Sequence, residues 1–196
     1  RTMSTFHPEM KEALFRAEIK DRIKGYDSFS VLDQYFRKAG TDDPLSRIQY
    51  VDVKTYLPDD ILAKVDRASM ANSLEVRSPL LDHELMEFAA TIPSTIKLKG
   101  RSGKHILKRV AKTLLSESVI GRRKMGFSIP LDMWLRKELK SLCEDLLLEG
   151  NARIYKYFEP ANVNKMWNDH QAGWKNHGIH IYSLLTFEAW HRKYIA

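Results

Sequence analysis

Cysteine is almost missing from this sequence: its 196 residues hold one, Cys143. A lone thiol excludes an internal disulfide framework and fits a reducing compartment, so a cytoplasmic setting is expected. Glycine is sparse too, with nine residues and no Gly-Gly pair. The nearest approach to a phosphate loop, Gly100-Arg-Ser-Gly103-Lys104, lacks the G-x-x-x-x-G-K-[ST] spacing and has His105 where a hydroxyl is required. It reads instead as a polar turn before a helix. No apolar run approaches the roughly 20 residues that span a bilayer, which argues against a membrane partner. No signal peptide is visible. Repeats, low-complexity tracts and long linkers are absent as well, so residues 1–196 are expected to form one domain. The opening RTMSTFHPEM does not resemble an initiation site and suggests a piece of a longer chain.

What is present describes a globular protein: 43% hydrophobic and 29% charged residues. The net charge is +7, with clusters at Lys97–Arg101, Lys104–Lys112 and Arg122–Lys124. Zinc-finger spacing and aromatic residues interleaved with the basic ones are both lacking, so a solvated basic face is favoured over a nucleic-acid partner.

Apolar spacing predicts a mostly α-helical chain. Helices are expected over 8–24, 26–39, 45–55, 83–90, 104–115, 131–149, 160–174 and 178–195, with segment 152–158 running over the surface. Leu85, Met86, Phe88 and Ala89 are expected inward on one helix, and Ile106, Leu107, Val110, Ala111 and Leu114 on another. Cys143 falls on an apolar face and reads as core rather than nucleophile. His170, His177 and His180 gather around Trp174 without completing a recognised zinc spacing.

The chain is organised around Leu57 to Asp82, LPDDILAKVDRASMANSLEVRSPLLD. Pro58, Asp59 and Asp60 supply a helix start, and Ile61, Leu62, Val65, Ala68 and Ser69 share one face. In Leu74-Glu75-Val76-Arg77 the period becomes two, which puts both charges on one side. Pro79 then ends any ladder. Two readings stay open: a structural ion pair, or a carboxylate held by a guanidinium so that it can act on a substrate. Further on, Gly121-Arg-Arg-Lys-Met-Gly126-Phe-Ser-Ile-Pro130 reads as an irregular cationic loop.

Three blocks, DVKTYLPDDILAKVDRASMA (Asp52 to Ala71), LEVRSPLLD (Leu74 to Asp82) and GRRKMGFSIP (Gly121 to Pro130), resemble the synthetase half of the glutamine-hydrolysing asparagine synthetases. A weaker likeness runs through GKHILKRVAKTLL (Gly103 to Leu115). The resemblance implies the helical C-terminal portion of an α/β adenine-nucleotide-binding domain of the PP-loop ATP-pyrophosphatase type. The family's glutaminase domain and SGGxDS-type phosphate loop are not in this sequence, which alone is expected to be inactive.

By resemblance, ATP with Mg2+ adenylates the side-chain carboxylate of aspartate, and ammonia from glutamine then forms the amide. Glu75 would orient the amine or take its proton, and Arg77 would hold Glu75 ionised. Lys124 would follow the charge on the transferring group, a task suited to a flexible point charge. Arg122 and Arg123 would contact pyrophosphate, Asp82 would brace the segment, and Asp52 is a magnesium candidate. A different acceptor (a lactam-forming or glycan/peptide-amidating relative), a non-catalytic helical interaction module and a homodimer all stay open.

Overall fold

The computed structural model describes residues 5–100, 102–123, 126 and 129–195. These are helical, with isolated β-bridges and no strand among the described residues. The chain divides into two compact units, one of residues 1–26 with 125–196 and the other of residues 27–124.

The first unit carries a closed core. Leu135, Cys143, Leu147, Ile154, Val163, Trp167, Ile181 and Leu184 are all buried in it. They come from the helices Leu131–Arg136, Lys140–Cys143, Pro160–Gln171 and Gly178–Tyr194, from the π-helical turn Glu144–Leu148 and from the 3-10 turn Arg153–Lys156. The expected helix over 131–149 is therefore broken at 137–139. Segment 152–158 does not run over the surface: Ala152 and Ile154 are core.

The expected helix over 8–24 is also two pieces, Pro8–Leu14 and Ala17–Arg22. Between them Phe15 is extended and bridges Phe158. The Arg16 amide donates to the Tyr157 carbonyl at 3.0 Å, and the Glu159 amide donates to the Leu14 carbonyl at 2.8 Å. Long-range pairing and ring contact with Phe158 outweigh local helix propensity here. The Pro160–Gln171 helix ends in a Schellman closure on Gly173, whose φ of 77° suits glycine.

Glu188 brings a carboxylate into this unit's interior. It is fully buried, and its carboxylate accepts from the Arg153 amide at 3.1 Å and the Ile154 amide at 2.8 Å. Arg192 one turn later donates to it at 2.5 Å. Burial pushes the carboxyl pKa up, but the Arg192 side chain and the two amides together outweigh it, so the pKa lies below the ordinary value.

The second unit contains the helices Ser30–Lys38, Pro44–Lys54, Ala63–Met70, His83–Thr91, Ser94–Lys97, His105–Ala111 and Glu117–Ile120. Asp43 caps Pro44–Lys54 through the Ser46 amide at 2.8 Å and also accepts from the Ser94 hydroxyl. Arg47 donates to the Phe36 carbonyl at 3.3 Å, tying the first two helices together. Burial is slight. Among the described residues of this unit only Val51 is buried. Leu85 and Phe88, expected inward, are exposed, as are Leu107, Val110 and Leu114, the last at 81%. The helical spacing was legible, but these apolar faces have no cover within the unit.

The Glu188 site yields a stability prediction. Glu188→Ala strands the buried Ile154 amide, the half-buried Arg153 amide and the Arg192 charge, and is expected to cost about 3 kcal/mol in urea denaturation. Because the native carboxyl pKa is depressed, the wild-type contribution is present above the unfolded value of about 4.3. It is lost as pH falls from there through the lower native pKa. The Ala variant should lack that acid-side loss.

Candidate functional site

Pro58, Asp59 and Asp60 open a helical stretch, as the sequence suggests: they lie in the first turn of the π-helical segment Leu57–Leu62, which runs on into Ala63–Met70. Proline is tolerated there because a first-turn amide has no intrahelical partner to lose. The preceding helix, Pro44–Lys54, ends at Thr55, whose φ of −130° and ψ of −76° leave the helical region. At this break Thr55 donates its hydroxyl to the Val51 carbonyl at 2.7 Å.

Ala63–Met70 ends in a Schellman closure. The Ser73 amide donates to the Met70 carbonyl and the Leu74 amide to the Ser69 carbonyl, both at 3.0 Å. Ser73 takes the left-handed position at φ 55°, where glycine is usual. The chain then runs extended through residues 74–78 without joining a sheet. Glu75 and Arg77 point the same way and meet, Arg77 Nε donating to Glu75 Oε1 at 2.7 Å. Their side chains are 69% and 86% exposed respectively. An ion pair so exposed contributes about 0–1 kcal/mol. It fixes the direction of the carboxylate more than it stabilises the fold. Asp82 caps His83–Thr91 by accepting from the Leu85 amide at 3.1 Å.

A cavity of about 820 Å³ opens in the same unit between Pro44–Lys54, His83–Thr91 and His105–Ala111. Its apolar wall includes Val53, Met86, Ile92 and Leu107, and its polar groups include Tyr50, Asp52, Glu87, Lys97 and Lys104. Glu75, Arg77 and Asp82 are not part of this lining. Lys97 reaches Gln49 Oε1 at 3.4 Å across it. Beside it, hydrogen bonds from Ser46 and Ser94 hold the Asp43 carboxyl below its usual pKa. The sequence signals the Asp43 cap through the following proline. The partnership with Ser94, 51 residues away, left no local trace.

Asp52 and Glu87 are the acidic groups of the cavity lining. One or two carboxylates completed by substrate phosphates make an ordinary magnesium donor set. Among the described residues, no group of three or more His, Cys, Asp or Glu could hold a metal by itself. Arg122 and Arg123 follow Glu117–Ile120 and are exposed. Lys124 lies outside the described residues.

The family model for asparagine synthase matches residues 3–192. The chain belongs to the asparagine synthase family. It is 32% identical over 161 residues to asparagine synthetase [glutamine-hydrolyzing] 1 of Bacillus subtilis, covering 82% of this chain and 25% of that protein. It is 30% identical over 136 residues to amidase chry2 of Gibberella zeae, covering 66% of this chain and 20% of that protein. The asparagine synthetase [glutamine-hydrolyzing] of Gallus gallus is 27% identical over 136 residues, covering 64% and 24%. The chain thus spans about a quarter of the length of the curated relatives it matches. No solved structure matches it significantly. Among the described residues, no helix is long and apolar enough to cross a membrane.

Membership in the asparagine synthase family makes a nucleophilic cysteine worth testing for, and Cys143 is a poor one. It is fully buried, and burial, with the nearby Glu144 charge, pushes its thiol up to about 11. Native chain is expected to react with a thiol reagent at pH 8 roughly 200-fold more slowly than urea-unfolded chain, from the thiolate fraction alone. Comparing the two alkylation rates checks this.

Proposed function

We propose that this chain forms the helical part of the synthetase domain of a glutamine-hydrolysing asparagine synthetase. The match of the asparagine synthase family over residues 3–192 carries the proposal. In the whole protein, an oxygen of the aspartate side-chain carboxylate attacks the α-phosphorus of ATP. The bond to the leaving phosphate breaks, giving an acyl-adenylate and pyrophosphate. Ammonia derived from glutamine then attacks the acyl carbon, loses a proton, and expels AMP to leave the amide.

Within that reaction, Lys124 supplies a mobile cation that follows the developing charge. Arg122 and Arg123 offer fork-shaped donors to the departing pyrophosphate. Glu75, aimed by Arg77, orients the incoming amine or accepts its proton, and Asp82 braces the turn that carries them. Magnesium, where bound, neutralises phosphate charge, and Asp52 and Glu87 are the groups that would hold it.

The exposed apolar faces of the second unit support the same reading. Large apolar side chains left exposed on several helices suit a surface that meets another body, and Phe88, Val110 and Leu114 are such side chains, fitting an α/β nucleotide-binding sheet in the rest of the protein. A second acceptor is favoured by one observation, the likeness to amidase chry2. The same adenylation and amide-forming steps would then act on a different carboxylate.

ATP–pyrophosphate exchange by the whole protein tests the proposal. Exchange is expected to depend on aspartate and to fall roughly 100- to 1000-fold in Lys124→Ala. Glu75→Gln should keep exchange and lose amide formation. Exchange that ignores aspartate but answers to another carboxylic acid would transfer the chemistry to that acceptor. Full amide formation by Glu75→Gln would reduce the Glu75–Arg77 pair to a surface ion pair.

A further inference from the structure

Outside the proposed site, the first unit contains a cluster of histidines that the amide-forming chemistry does not use. His170, on Pro160–Gln171, is fully buried. Its Nδ1 accepts from the backbone amide of His177 at 3.2 Å. An imidazole nitrogen that accepts carries no proton, so the ring must be the neutral tautomer with hydrogen on Nε2. That Nε2 makes no hydrogen bond of ordinary geometry, although the Asp132 backbone carbonyl is near enough to favour a proton on the ring.

This bond closes a turn that grips the neighbouring helix. Asn176, one residue before His177, donates its side-chain amide to the Asp132 carboxylate at the first turn of Leu131–Arg136. Its Oδ1 accepts from the Gly178 amide at 2.9 Å. The packing is tight, since any side chain at Gly178 would collide with the Asp132 carboxylate. From the other end of the helix, Arg136 Nε donates to the His170 carbonyl at 2.9 Å. Gln171 donates to the Leu135 carbonyl at 2.9 Å. Among the described residues, the hydrogen bonds between Leu131–Arg136 and residues 170–178 involve His170, Gln171 and Asn176.

We propose that His170 is a pH-sensitive latch. When neutral, it accepts the His177 amide and keeps the 171–178 turn clamped on Leu131–Arg136. When protonated, its Nδ1 becomes a donor facing a donor, and the turn and the Asn176–Asp132 tie are released.

The charged surroundings bear this out from each element. Burial disfavours the charged ring and Arg136 adds to the effect, while the Asp132 carbonyl and charge oppose them. In the turn, burial likewise holds His177 down, with Asp169 opposing and Lys175 and His170 reinforcing. His180, at the start of the next helix, is held down by burial, by His177 and by His7, with the Thr5 carbonyl opposing. A first proton on any of these rings makes the next less welcome. The native pKa of His170 lies below its ordinary 6.5, so the latch is closed at neutral pH. It opens as pH falls below 6.5, the direction required for a group whose proton is favoured in the open state.

The test is amide hydrogen exchange and imidazole nitrogen NMR on the whole protein. Exchange of the His177 amide, corrected for its intrinsic pH dependence, is expected to speed up about tenfold between pH 7.5 and 5.5. Amides of Leu131–Arg136 should follow it, while Ile181 and Leu184 stay protected. In His170→Asn the side-chain oxygen occupies the place of Nδ1 and cannot titrate in this range, so the acceleration should vanish. His180→Ala should retain it. A neutral-pH tautomer with the proton on Nδ1 would overturn the proposal, and this reading needs no variant. So would protection of His177 that does not change with pH, or acceleration that persists undiminished in a folded His170→Asn protein.

Discussion

A carboxylate sealed from water has to be answered by donors, and in the first unit that requirement falls on Glu188. Its two oxygens take the amides that begin the Arg153–Lys156 turn and the guanidinium one helical turn further along its own helix. Those amides are the orphan donors that a short helical segment leaves at its start. One side chain therefore satisfies two backbone groups that would otherwise be left unpaired, and it seats Ile154 in the core that also holds Leu147 and Ile181. The polar contact decides the position and the apolar burial around it supplies most of the free energy.

The second unit meets no comparable constraint from inside. Its helices are joined by caps and side-chain links such as Asp43 with Ser94 and Arg47 with Phe36, and only Val51 is buried among its described residues. Directional bonds of this kind fix geometry but contribute about 1 kcal/mol each. Phe88, Val110 and Leu114 stay exposed. The chain belongs to the asparagine synthase family and spans about a quarter of its relatives' length.

Much of this was legible in the sequence because helical periodicity is a local property. The helix containing Ile181, Leu184 and Leu185 lies where the apolar spacing predicts. Cys143, placed on an apolar face by spacing, is core. The misreadings share a different origin. Phe15 and Phe158 leave regular structure to pair across more than a hundred residues, and segment 152–158 turns inward because Glu188 receives its amides. Neither partner is visible to a window of neighbouring residues. The spacing that predicts Phe88 and Leu114 as core reports which face is apolar, not whether anything covers it. The meeting of Glu75 with Arg77 followed from alternation, whereas the cavity containing Asp52 gathers residues from three helices and had no signature along the chain.

The break at Thr55 acts as a joint. A residue at φ −130° and ψ −76° lies outside the helical well, so Pro44–Lys54 and the helical stretch from Leu57 onward need share neither axis nor phase. Val51 in the first piece is buried, while Val65 and Met70 in the second are exposed. The segment that bears Glu75 is carried by the second piece alone. Its bearing relative to the capped helix at Asp43 is therefore set through the dihedrals of a single residue.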